Sequence, residues 1–352
     1  MAGRTDARHD KMTSLAAKLS ELRSFSARIG ADTRRTQAAG GNTSVKYEGT
    51  LWIKASGTWL SQALEKEIFV PVKLNPLLDA LASNDPRAET SVEFIDQSQN
   101  SLGLRPSIET SVHAAIHWPV VAHVHCVDTL SFAIQSTGEA QIASRLATDS
   151  DLHWVSIPYR RPGLPLYKAI SERTKPDTNV YILQNHGLVV AGRTVQEVDD
   201  RLHRVCLALN VLPRPMPRAN LEKLEQLVKG TAYRLPEHQD AHALALDPIS
   251  RAFALGGSLY PDHVIFLGPS AIAADVLEKG AENHPMLILP EGVVLLRTTT
   301  AAADAMAKCL ADVLARVPAG SQLTRLTAEQ DYQLTHWEAE KYRQTLNVVT
   351  LP

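Results

Sequence analysis

The stretch "VVAHVHCVD", residues 120–128, sets two histidines two positions apart among residues that are mostly Val, Ala or Cys. Such a run predicts a buried strand, and in a strand residues i and i+2 project from one face. His123 and His125 are therefore expected side by side, with Val124 pointing the other way. Two imidazoles on a stiff strand suit a divalent metal. The same spacing also suits two core histidines, each satisfied by hydrogen bonds.

Two further features bear on that choice. "QNHGLVV" puts His186 at a strand end before a glycine, where a side chain reaches the mouth of a sheet. "PSIETSVH" puts Glu109 at a helix start just upstream of the two histidines, where the helix N-terminus favours a carboxylate. Three histidines and one carboxylate make a metal site in which substrate or solvent takes an exchangeable position. His113, four residues after Glu109, is read as a packed residue in preference to a partner of a ligand, and the other histidines as surface or structural.

Around these residues lie three loops suited to an anion. "AAGGNTSVK" offers Gly41 and Asn42, with Thr43 and Ser44, in a turn that lets backbone approach a ligand. "KASGTW" repeats the theme with Lys54, Ser56, Gly57 and Thr58, and "RPSIE" adds Ser107 ahead of the helix that Glu109 opens. Each loop alone is also ordinary turn chemistry; together they form an anion pocket only if the chain gathers them.

The elements that must do the gathering follow from periodicity. Residues 12–30 predict an amphipathic helix, with Leu15, Leu19 and Leu22 on one face. "TSVKY" and "LWIKA" predict a hairpin about Glu48-Gly49. Residues 109–117 predict a helix, 120–127 a strand, 128–135 the start of a helix, and "NVYILQ" and "LVVAG" two strands about the "NHG" turn. "TVQEVDDRLHRVCLALNVL" predicts a helix capped by Thr194. The prolines of "PRPMP" mark a boundary near residues 213–218, so residues 1–215 and 216–352 are expected to be a catalytic and a smaller C-terminal α/β domain. In the second part "HVIFLG" and "MLILPEGVVLLR" are strand candidates, 299–316 and 327–346 helix candidates, and Thr327 with Gln330 a capping box.

Composition limits the function classes. With 44% hydrophobic and 21% charged residues the chain is globular. A formal net charge of −2 argues against a nucleic-acid surface. Neither a run of 18 apolar residues nor a signal-peptide core is present, and the three cysteines form no CxxC, so a reduced cytoplasmic setting without membrane is expected.

The order "GGNTS", "ASGT", "PSIETSVH", "HVH", "NHG" resembles the class II aldolase/adducin family over roughly residues 15–210. Within it, "PYRRPGLPL", "WEAEKYRQTL" and "GGSLYPDHVIFLGP" look most like the aldolase portion of bifunctional rhamnulose-phosphate aldolase/alcohol dehydrogenase proteins. "ALGGSLYPD" is no dinucleotide fingerprint, so no dehydrogenase half is expected here. The resemblance implies a three-layer α/β fold, in which helices flank a central, mainly antiparallel sheet. It implies one divalent metal per chain, usually zinc, held by His123, His125 and His186. Glu109 would be the acid/base that also touches the metal, while Gly41, Asn42, Ser56, Gly57 and Ser107 would hold a substrate phosphate. It further implies a homo-oligomer, a tetramer by preference, and a tyrosine at the site, for which Tyr159, Tyr167, Tyr260 and Tyr342 are candidates.

The chemistry so implied is retro-aldol cleavage of a phosphorylated ketose, with a metal as sink for the enediolate and Glu109 as proton shuttle. Decarboxylation of a 3-oxo sugar-acid phosphate, and epimerisation or dehydration of a keto-sugar phosphate, use the same site. An adducin-like binding module without chemistry is the non-enzymatic alternative.

Overall fold

A computed structural model describes residues 3–275, 277 and 284–346. A central seven-stranded sheet is built from β1 (Asn42–Tyr47), β2 (Thr50–Lys54), β3 (Phe69–Lys73), β4 (Val120–Val124), β5 (Trp154–Ile157), β6 (Val180–Leu183) and β7 (Gly187–Gly192). Its order is β3-β2-β1-β4-β7-β6-β5, with only the β5–β6 pairing parallel. The β1–β2 hairpin turns where expected, Glu48 and Gly49 both lying at positive φ (46° and 77°).

The alternation of β4 makes this sheet the middle of three layers. Val120, Ala122 and Val124 pack with Leu22, Phe25 and Ile29 of the Gly3–Ala31 helix and with Val198, Leu202 and Val205 of the Val195–Ala208 helix. Val121 faces the other way, onto Val112, Ile116, Leu166 and Ile170. Thr194 caps the Val195–Ala208 helix as its sequence predicts, accepting from the Glu197 N–H at 3.1 Å.

The C-terminal part carries a second sheet from β8 (Tyr233–Arg234), β9 (Ile272–Ala273), β10 (Met286–Leu289) and β11 (Gly292–Leu296), in the order β8-β11-β10-β9. "MLILPEGVVLLR" is the β10–β11 hairpin, as read. "HVIFLG" is not a strand: it belongs to the Pro261–Leu267 helix. A short apolar run is ambiguous by periodicity, and here Pro261 starts the helix while Gly268, at φ 88°, ends it. The expected helix over 327–346 is two helices, Ala328–Thr335 and Glu338–Leu346, broken at His336-Trp337. The Thr327/Gln330 capping box is present.

The two parts share apolar packing. Val127, Leu130 and Ile134, from the helix after β4, sit in one cluster with Leu244, Leu259, Phe266, Met306 and Leu310. A polar tie lies beside it, where buried Asp128 meets Arg34 at 2.6 Å and Arg316 at 3.4 Å. No described helix is long and apolar enough to cross a membrane.

Candidate metal centre

Register sets out the site. Asn42 of β1 pairs with His123 of β4, and His123 with Val189 of β7, so the ends of three adjacent strands meet. His123 is the penultimate residue of β4, and His125 lies just beyond the strand. The Gln184–His186 turn, with Asn185 at φ 53°, carries His186 to the same edge. Glu109 stands immediately before the Thr110–Ala115 helix. His123, His125, His186 and Glu109 are all buried, between 1% and 6% exposed. Gly41, at φ 73°, passes so close that a Cβ would stand 2.9 Å from the His123 carbonyl oxygen, which explains a glycine there.

The three histidines converge: one ring nitrogen from each lies within 4.8 Å of the others. One hydrogen bond and one charge contact favour two of the tautomers. His123 Nδ1 lies 3.1 Å from the Leu188 carbonyl oxygen, and His125 Nδ1 lies 3.0 Å from Asp262 Oδ2. Both partners only accept, so each Nδ1 carries the hydrogen and each Nε2 presents a lone pair. Those two Nε2 atoms face each other at 3.1 Å. Facing lone pairs repel unless a cation lies between them, and tetrahedral bonds of about 2.0–2.1 Å would set neighbouring nitrogens about 3.3 Å apart. The residues present therefore fit a divalent ion.

Glu109 bridges this group. Its Oε2 is 3.4 Å from His123 Nε2 and its Oε1 is 3.2 Å from His186 Nε2. Burial pushes the His123 imidazole down to about 3, against the opposing pull of the Glu109 carboxylate. Burial acts to raise the Glu109 carboxyl, but His123 and His186 outweigh it, so Glu109 is held below the ordinary carboxylate range. Asn42 Nδ2 donates to Glu109 Oε2 at 2.6 Å, and the Glu109 N–H donates to Ser107 Oγ at 3.2 Å. His113 is fully buried and its Nδ1 meets Ser44 Oγ at 2.7 Å, the packed residue that its sequence context suggests.

All three loops reach the centre. Gly41, Asn42, Ser56, Gly57 and Ser107 line one cavity with Glu109, His125 and His186. Three charged residues also form its walls, of which sequence reasoning named Lys54 and missed Asp262 and Glu340. Lys54, 1% exposed, donates to the carbonyls of Ala39 at 2.8 Å and Thr58 at 2.6 Å. Asp262 and Glu340 arrive from the C-terminal part, 3% and 1% exposed. Lys54 lies in the "KASGTW" loop that the sequence singles out; nothing local in "YPDH" or "WEAEKY" marks its carboxylate for this site. Free space in the cavity is about 20 Å³, room for roughly one water. Of the candidate tyrosines, Tyr260 is buried against Cys309 and Tyr342 stacks under Arg105 at 4.2 Å. Tyr167 packs on the cluster of Leu77 and Phe94, and burial pushes the Tyr159 hydroxyl well above its ordinary value.

Comparison with known proteins agrees with the motif order. The family described as Class II Aldolase and Adducin N-terminal domain matches residues 25–208. The Bacillus subtilis protein described as the uncharacterized oxidoreductase YuxG is 23% identical over 396 aligned residues, covering 90% of this chain and 57% of that protein. Human gamma-adducin is 25% identical over 173 residues, 46% of this chain and 24% of that protein. The chain thus spans little more than half the length of one relative and about a quarter of the other. Among solved structures, the N-terminal class II aldolase domain of a conserved protein from Thermoplasma acidophilum aligns with 26% identity and a TM-score of 0.47, over 54% of this chain and 90% of that one.

Proposed function

The chain belongs to the class II aldolase and adducin family, and from that premise we propose that it is a metal-dependent aldolase cleaving a phosphorylated ketose by retro-aldol chemistry. The observation that carries this reading is the buried convergence of His123, His125 and His186 on Glu109. A binding module without chemistry has no need of three imidazoles and a carboxylate gathered in one closed cavity.

In this reading His123, His125 and His186 hold one divalent ion, zinc by preference, and Glu109 is close enough to join them. The ion supplies Lewis acidity to the substrate carbonyl. The rest is done by the chain. Cleavage beta to a carbonyl requires removal of a hydroxyl proton, and Glu109, ionised at neutral pH, accepts it and later returns it. Asn42 fixes which carboxylate oxygen is engaged, by donating to Oε2. Gly41, Ser56, Gly57 and Ser107 hold the unreactive anionic end, with Lys54 as the nearby positive charge, and so orient the reacting carbons. Residues 1–215 form the catalytic part; residues 216–352 cover it.

A panel of phosphorylated ketoses and 3-oxo acid phosphates, incubated with metal-loaded protein, tests this. Release of a triose phosphate and an aldehyde supports the aldolase. Carbon dioxide release would reassign the site to decarboxylation, and inertness towards the whole panel would reject the proposal.

A further inference from the structure

We infer that Asp262, from the C-terminal part of the chain, is a positioning residue for the metal centre: it fixes the tautomer and orientation of His125 and thereby sets the affinity for the ion. The inference rests on the metal reading above. It adds a residue well outside the segment that the family matches, residues 25–208.

The geometry is that of a carboxylate acting through an imidazole. Asp262 Oδ2 lies 3.0 Å from His125 Nδ1, the nitrogen remote from the cluster, a charge contact out of line for a hydrogen bond, while His125 Nε2 faces His123. Asp262 therefore orients a ligand and is not one itself. A carboxylate this close to the far nitrogen repels a lone pair there and favours the N–H form, which leaves one lone pair, aimed at the ion. His123 has only a carbonyl oxygen in the matching place, and His186 Nδ1 is buried with no hydrogen-bond partner among the described residues. Of the three rings, His125 is thus the one with a carboxylate beside its far nitrogen, Nδ1.

The backbone around Asp262 is built to hold that contact. The residue sits in the first turn of the Pro261–Leu267 helix, where Pro261 pre-sets φ. Asn185, the neighbour of His186, donates from Nδ2 to the carbonyls of Leu259 and Thr324, both at 2.8 Å. The turn carrying one ligand is therefore tied to the segment carrying Asp262. Gly40 closes the other side. A Cβ there would lie 2.8 Å from His125 Nδ1 and 2.9 Å from Asp262 Oδ2, so only a glycine leaves the pair undisturbed.

The test is metal affinity of the full-length protein, read by competition with a chromogenic zinc chelator, beside the ring-nitrogen NMR signals of His125 in metal-free protein. Asp262→Asn should weaken zinc binding about 10-fold and Asp262→Ala by up to about 100-fold, the range found when such partners are removed. Asp262→Ala should also lose the single Nδ1–H form of His125. Asp331→Ala is the control. It removes the 2.7 Å bond to Ser258 and so loosens the same region without touching His125, and its zinc affinity should stay within twofold of wild type. Should Asp262→Ala fail to fold, the near-isosteric Asn variant carries the test. Wild-type affinity and an unchanged His125 tautomer in a folded Asp262→Asn protein overturn the inference, as does an equal loss in the Asp331 control. A wild-type protein that binds no zinc would overturn the metal reading and this inference with it, an outcome distinct from one in which only the Asp262 variants behave as wild type.

Discussion

His123 and His125 bring their Nε2 atoms within 3.1 Å of each other, a spacing that suits two ligands of one cation. Replacing both by alanine leaves His186 and Glu109, too few donors for a tight site. The double variant, measured by atomic absorption after dialysis, should retain less than a tenth of the ion found in wild type; full retention would mean that the ion sits elsewhere. Glu109 can be examined separately. Glu109→Gln keeps the shape and loses the proton acceptor, so turnover should fall by about 10²–10⁴. Metal content must be read in the same preparation, because Glu109 Oε1 and Oε2 also lie 3.2 and 3.4 Å from two of the ligand rings. Unchanged turnover at full occupancy would show that another group moves the proton.

At the scale of elements, the Glu338–Leu346 helix decides access. Glu340 is one wall of the cavity, and a Cβ on Gly57 would stand 2.7 Å from Leu346. Free space of about 20 Å³ admits no sugar phosphate while that helix is seated. The open clefts on either side of it, about 560 and 510 Å³, are lined in part by Tyr342. The helix is anchored through Trp337, over whose ring the Arg161 guanidinium lies at 4.2 Å, while Arg161 pairs with Glu89 at 2.5 Å. If the cavity is the site of the proposed reaction, entry of a sugar phosphate is expected to need this helix to lift, and its return to exclude water. Ending the chain after Trp337 should leave metal content unchanged and lower turnover at least 10-fold. Stopped-flow binding of a non-cleavable ketose phosphate should be faster in the shortened protein. Equal turnover in the two proteins would reduce the helix to a passive cover.

At the scale of the molecule, the parts before and after residue 215 depend on each other. Val127, Leu130 and Ile134, each 0% exposed, have C-terminal residues as neighbours. Exposing such side chains costs about 1.5–3 kcal/mol apiece, a large share of the 5–15 kcal/mol that keeps a typical protein folded. A fragment ending at Leu212 should accordingly melt well below the full chain in calorimetry, or fail to stay soluble; an unchanged melting temperature would show an independent unit. Acid stability follows from the buried imidazoles. Burial pushes His113, His123 and His263 from 6.5 down to about 3. Between those values the unfolded chain takes up protons that the folded one does not, so stability is full above about pH 6.5 and is lost as pH falls towards 3. The depressed Glu109 carboxyl acts in the same direction. Urea midpoints of chelator-treated protein at pH 7.5, 6, 5 and 4 should fall in that order; a flat series would contradict it.

What the sequence determined by itself was local. Two residues at positive φ in Glu48-Gly49, the Thr194 cap, the Thr327/Gln330 box and the alternation that buries β4 each depend on neighbours a few positions away, and each is legible from spacing. The motif order was legible for the same reason, because Gly-Asn, Ser-Gly, Ser-x-Glu, His-x-His and Asn-His-Gly are each short. Tertiary structure decided the rest. "HVIFLG" is a helix because Pro261 and its packing outweigh an ambiguous apolar run. The loops share a cavity because β1 pairs with β4 in a register that brings Asn42 to His123. Asn42 grips Glu109, Asp262 orients His125 and Glu340 enters the cavity wall through contacts between residues far apart in the chain. Such contacts leave no periodic trace: a carboxylate in "YPDH" is chemically the same residue whether it faces solvent or an imidazole, and only the packing of one part on the other assigns it a partner.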